Sequence, residues 1–133
     1  MKIDLIKRAP LFERCSKREL AAVAALADEI DFPPGKTLTK EGAPGREFFV
    51  LIEGSADVRR KGRKINTMNP GDFFGEIALV TGQPRTATVT ATATSPIRAL
   101  VLTDRAFKDL LRRTPSMQQK VLEALADRLP VNV

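Results

Sequence analysis

Residues 74–87 read FGEIALVTGQPRTA, and the reading of this stretch decides the rest of the chain. A glycine and a glutamate open a short apolar run, and a lone arginine follows in surroundings that are otherwise apolar or small. Gly75 to Val80 reads as a single helical turn inserted between strands. The N-terminus of such a turn, at Phe74-Gly75-Glu76, offers free backbone N–H groups and the positive end of the helix dipole to an anion. Glycine at that point lets a ligand approach the backbone closely. Arg85 adds a full positive charge and a planar fork that suits phosphate oxygens. Glu76 would repel a phosphate, so its natural partner is a donor such as a ribose hydroxyl. A second reading stays open, in which Glu76 and Arg85 form an internal ion pair that holds the loop.

Outward from this stretch the order is helix, many strands, helix. Ser16-Lys17-Arg18-Glu19 has the spacing of a capping box, and Leu20, Val23, Ala24 and Ala27 follow on one face. This predicts an N-terminal helical segment over residues 1–30, ended by Phe32-Pro33-Pro34-Gly35. Short strand-like runs follow at Lys36 to Lys40, Phe48 to Ile52, Ala56 to Arg60, Lys64 to Met68, Ala87 to Thr94 and Ile97 to Leu102. Turn residues separate them, as expected of an antiparallel sandwich or barrel. Thr103-Asp104 starts a helix running to about Arg113, and Thr114-Pro115 starts another with Pro at its first position. Met117, Val121, Leu122, Leu125 and Leu129 give this last helix an apolar stripe, and Pro130 stops it.

At 133 residues the chain is long enough for one domain that buries about two thirds of its unfolded surface. Its 43% hydrophobic and 29% charged residues are ordinary for a globular protein. No apolar run approaches the roughly 18 residues of a membrane span, and the mixed charges of Met1 to Leu11 do not suit a secretory leader. Cys15 is the only cysteine, which excludes an internal disulfide and suggests a cytoplasmic location. The chain has no histidine, so histidine-dependent hydrolytic triads and most zinc sites are excluded, and no calcium-loop pattern occurs. Neither catalysis nor a metal cofactor is expected. The net charge of +6 raises nucleic acid as a partner. The densest basic run, Arg59-Arg60-Lys61-Gly62-Arg63-Lys64, reads instead as a solvated hairpin tip with no aromatic stacking residue beside it. We expect no nucleic-acid and no membrane partner.

Phe74-Gly75-Glu76-Ile77-Ala78-Leu79, followed after five residues by Arg85-Thr86-Ala87-Thr88-Val89, resembles the phosphate-binding cassette of the cyclic nucleotide-binding domain family. Pro84 before the arginine is also usual in that family. Glu41 to Gly54, with glycines framing a hydrophobic strand, is similar to the family's first signature, from which Thr39 departs slightly. The resemblance implies a mainly β fold with flanking helices, an eight-stranded antiparallel jelly-roll barrel over 31–102 with the cassette at 74–87. The C-terminal helices over 103–129 would act as a lid. It implies cyclic AMP or cyclic GMP as ligand, with cyclic AMP favoured, and no cofactor. Arg85 would pair with the cyclic phosphate, helped by backbone N–H groups of Ala78 and Thr86. Glu76 would accept from the ribose 2′-hydroxyl beside Gly75, and Val58 and Ile65 would touch the base. Ile77, Pro84 and Ala87 complete the expected site. The Thr86 hydroxyl would bond the exocyclic amine of guanine. The readout is expected on another chain or on a part of the polypeptide not given.

Overall fold

The computed structural model describes residues 2–128. Its centre is β3 (Glu47–Glu53), in which Phe48 to Ile52 are all buried. A strand can bury five residues in a row only if both its faces are covered, and the two-residue repeat shows how. Phe48, Val50 and Ile52 enter one apolar cluster, and Phe49 and Leu51 enter the other. Its neighbour β8 (Ile97–Thr103) divides in the same way, with Leu100 and Leu102 in the first cluster and Ile97, Ala99 and Val101 in the second. Full burial of each such side chain contributes about 1.5–3 kcal/mol, so this strand pair is the main anchor of the fold.

The strands form two antiparallel four-stranded sheets. One has the order β1-β8-β3-β6, with β1 at Asp28–Phe32 and β6 at Phe73–Phe74. The other has the order β2-β7-β4-β5, with β2 at Thr37–Thr39, β4 at Ala56–Arg60, β5 at Arg63–Met68 and β7 at Thr88–Ala91. Eight strands agree with the expected number. Two of them escape local reading. β6 has two residues and is defined only by its pairing with Phe49 and Val50. β1 replaces the expected end of the N-terminal helix, and residues 28–30 are strand rather than helix. Glu29 and Asp31 alternate with Ile30 and Phe32, which pack against the second cluster, and the strand pairs along β8.

The N-terminal helical segment is α1 (Lys2–Lys7), a 3-10 turn at Pro10–Phe12, and α2 (Lys17–Leu26). The capping box at the start of α2 is present in full: Glu19 N donates to Ser16 Oγ at 3.1 Å and Ser16 N to Glu19 Oε1 at 2.9 Å. The basic run is the expected hairpin tip, with Lys61 and Gly62 both at positive φ (53° and 77°) between β4 and β5. A short helix α3 (Glu76–Thr81) is inserted before β7, as expected. After β8 come α4 (Asp104–Arg113), capped by the Thr103 hydroxyl, and α5 (Pro115–Arg128). Among the described residues no helix is long and apolar enough to cross a membrane.

The α5 stripe differs from the expected one. Met117, Val121 and Leu125 are buried, whereas Leu122 is 61% exposed, and Leu129 and Pro130 lie outside the described residues. The buried three do not cover the second sheet. They join Ile6, Leu11, Phe12, Leu20, Val23 and Phe107 in the first cluster, which the N-terminal helices share. α5 is therefore packed into the core along its length and meets the candidate site only at its end.

Candidate functional site

α3 follows β6 after a single residue, Gly75, whose φ is 102°. The position needs glycine twice over. That backbone conformation strains any residue with a Cβ, and a Cβ there would lie 2.8 Å from Glu47 O and 2.9 Å from Arg85 Nη1. Arg85 thus lies against the backbone that launches α3. Its Nη1 donates to Gly75 O at 3.1 Å and its Nη2 to Glu47 O at 2.6 Å. Its main chain is tied to the loop before β3, through Arg85 N to Ala43 O and Gly42 N to Arg85 O, both 2.8 Å. The residue is only 8% exposed, and the hydrogen bonds of its side chain go to carbonyls rather than to a carboxylate among the described residues. Burial lowers the guanidinium pKa below its ordinary value, and the fields of Glu47 and Glu76 act the other way. A cation held in this manner is stabilised by an added anion.

Glu76 is wholly buried. Its Oε1 accepts a hydrogen bond from Arg128 Nη1, at the end of α5 and 52 positions along the chain. The Arg128 guanidinium also stacks over the Phe73 ring, 5.2 Å from its centroid. Glu76 Oε2 is buried with no hydrogen-bond partner among the described residues. An internal Glu76–Arg85 pair is therefore not what the structure shows: the glutamate pairs with Arg128, and the arginine is held by carbonyls.

Glu76 and Arg85 line one cavity of about 260 Å³, between the cassette and the inner side of β4, β5 and β7. Every site residue expected from the sequence lines it except Pro84: Val58 and Ile65 from the hairpin, then Gly75, Glu76, Ile77, Ala78, Arg85, Thr86 and Ala87. Pro84 is exposed and borders a different depression, shared with Gly42, Pro44 and Gly45.

The sequence profile of the cyclic nucleotide-binding domain matches residues 29–114, more than half of the chain. The chain belongs to this family. Cyclic nucleotide-binding domain relatives include the cAMP-dependent protein kinase regulatory subunit of Mycosarcoma maydis, 36% identical over 109 residues, which cover 77% of this chain and 21% of the relative. The CRP-like cAMP-activated global transcriptional regulator of Mycobacterium tuberculosis is 30% identical over 131 residues, covering 95% of this chain and 58% of the relative. The chain thus spans between a fifth and three fifths of these relatives. Among solved structures, the regulatory domain of Toxoplasma gondii PKA with cAMP superposes with a TM-score of 0.81 at 25% identity, over 93% of this chain and 48% of that one. A PKAR CBD2 structure bound to Sp-2Cl-cAMPS gives a TM-score of 0.73 at 29% identity, over 97% and 90% of the two chains.

Several residues of this cyclic nucleotide-binding domain were not anticipated. Arg128, Arg60, Asn66 and Thr39 line the cavity. Thr39 donates to Ala87 O at 3.3 Å, so it braces the cassette rather than merely replacing an aliphatic residue. Arg60 could have been found, because it stands two residues after Val58 and shares its side of β4. No sequence pattern connects Arg128 to Glu76. Its removal tests the pair: Arg128→Ala is expected to lower stability by about 1–3 kcal/mol, less than a fully buried pair because Arg128 is partly exposed. Thermal denaturation of the single variant and of Arg128→Ala/Glu76→Gln checks this. The double variant should recover part of the loss, since no buried charge is then left alone.

Proposed function

We propose that this chain is a cyclic nucleotide sensor module without catalytic activity, with cyclic AMP as favoured ligand and cyclic GMP as a second one. One observation carries the reading. A single cavity holds a buried arginine whose guanidinium is hydrogen-bonded to carbonyls and to no carboxylate among the described residues, and a buried carboxylate oxygen, Glu76 Oε2, that no donor among the described residues reaches. A cyclic nucleotide supplies both complements, an anionic phosphate for Arg85 and a 2′-hydroxyl for Glu76. The N–H groups of Ala78 and Thr86 assist at the phosphate, and Val58 and Ile65 flank the base. The preference for cyclic AMP is supported by the neighbour solved with cAMP. The two sheets then act as a jelly-roll barrel whose open side is the nucleotide pocket.

Output runs through α5. Glu76 holds Arg128 by one oxygen and has the other free for ribose, so a bound nucleotide and the end of α5 are stabilised through the same carboxylate. Such coupling is reciprocal and typically worth 1–3 kcal/mol. The readout is a partner protein or a further domain, in a cytoplasmic setting that suits the lone Cys15. This module itself is not assigned contact with nucleic acid, since Asp57 pairs with both Arg59 and Lys64 in the basic hairpin.

The test combines a variant with a ligand analogue. Glu76→Gln replaces a charged acceptor by a neutral one, and cyclic AMP affinity should fall by about 1–2 kcal/mol by calorimetry. 2′-Deoxy cyclic AMP should then lose little further affinity on the variant. Additive losses from variant and analogue would assign Glu76 a structural role only.

A further inference from the structure

We infer that Arg60 reads the nucleotide base, donating to O6 and N7 of guanine, and so sets the ratio of cyclic GMP to cyclic AMP binding. The inference rests on the nucleotide site proposed above. Three arginines and one glutamate line the cavity: Arg60, Arg85, Arg128 and Glu76. Arg128 is committed to Glu76, and Arg85 suffices for the single charge of a cyclic phosphate. Arg60 is left over. Its neighbours Arg59 and Lys64 both pair with Asp57, whereas its one hydrogen bond runs from Nε to Thr86 O at 2.9 Å. That bond fixes the guanidinium to the cassette, and its two terminal amines have no partner among the described residues. Asn66, also at the cavity, accepts from Thr67 N through its Oδ1 at 2.8 Å.

The uncommitted polar groups of Arg60 are donors, and an arginine cannot become an acceptor. The two bases differ on this point. Guanine presents two acceptors, O6 and N7, on one edge, whereas adenine presents N7 and the N6 amine, itself a donor. Guanine satisfies a forked donor twice. Adenine satisfies it once and sets one donor against another. Because Arg60 is exposed, water softens that conflict, so Arg60 narrows the preference for cyclic AMP proposed above without reversing it, and admits cyclic GMP as the second ligand.

Arg60 and Thr86 are separable by ligand chemistry, since the base of inosine 3′,5′-cyclic monophosphate has O6 and N7 but lacks the 2-amine that the Thr86 hydroxyl would meet. Calorimetric titration of cyclic GMP, cyclic AMP and cyclic IMP into the full chain and its Arg60→Ala, Arg60→Lys and Thr86→Ala variants tests the inference. Arg60→Ala should weaken cyclic GMP and cyclic IMP by on the order of tenfold and cyclic AMP by less than about twofold. Arg60→Lys should fall between, having the charge without the fork. Thr86→Ala should weaken cyclic GMP alone. Equal losses of all three nucleotides in Arg60→Ala would show that Arg60 only props the cassette through Thr86 O, and unchanged affinities would remove it from the site; either result overturns base reading. Failure of the unsubstituted chain to bind any of the three would overturn the nucleotide site itself.

Discussion

Arg85→Ala is expected to weaken cyclic nucleotide binding by about 2–5 kcal/mol, the range found when one partner of a desolvated, hydrogen-bonded charge pair is removed. No other side-chain truncation at the cavity should cost as much affinity. Arg85 is 8% exposed and its guanidinium is fixed by Gly75 O and Glu47 O, so it meets a phosphate with little reorganisation and little screening. Among the described residues the other cations at the cavity are Arg128, which is held by Glu76, and Arg60, whose position is fixed through Nε to Thr86 O. The variant also leaves Gly75 O and Glu47 O without that donor, a loss of up to about 1–3 kcal/mol in folding stability. Calorimetry for binding and a thermal melt for folding separate the two effects. A change in affinity below about threefold would place the phosphate elsewhere.

Gly75→Ala should have the largest effect on the fold of the site. Positive φ costs a residue with a Cβ about 1–3 kcal/mol, and forcing an atom into a filled space typically costs a further 1–3 kcal/mol. Both apply here, since the new Cβ would stand 2.8 Å from Glu47 O, a backbone atom that cannot swing aside. Stability is expected to fall by about 2–5 kcal/mol, with binding lost through displacement of Arg85. Two other glycines separate the causes. Gly42, at φ +84°, has open space where a Cβ would stand, so Gly42→Ala should show the backbone strain alone. Gly45 has no positive φ, but a Cβ there would overlap Ala78 Cβ and stand 3.1 Å from Arg85 Cζ. Gly45→Ala should therefore act mainly on binding, by moving the guanidinium. Thermal melts that rank Gly42→Ala level with Gly75→Ala would show that the close approach to Glu47 O contributes nothing.

Much of the site was legible because it is written contiguously. Gly75, Glu76 and Arg85 lie within one short segment, and a glycine before a helical turn has a meaning that does not depend on the rest of the fold. The hairpin tip at Lys61-Gly62 and the start of α5 at Pro115 were legible for the same reason: each is a local backbone constraint stated by the residue that obeys it. The capping box of Ser16 and Glu19 belongs with them.

What the sequence by itself determined was the set of local conformations and the identity of the two opposite charges, Glu76 and Arg85, at the cavity. Only the tertiary structure decided how those charges are partnered. The choice of Arg128 rather than Arg85 for Glu76 depends on where α5 ends, and that in turn depends on Met117, Val121 and Leu125 packing against the N-terminal helices. The strand at Asp28–Phe32 depends on the free edge of β8, and the strand at Phe73–Phe74 on the edge of β3. Hydrogen bonds of this kind join residues far apart in the chain, and their partners are chosen by packing after the elements have formed. Local propensity contains no record of that choice, whereas a φ that only glycine adopts easily, or a proline at a helix start, is imposed by the residue itself.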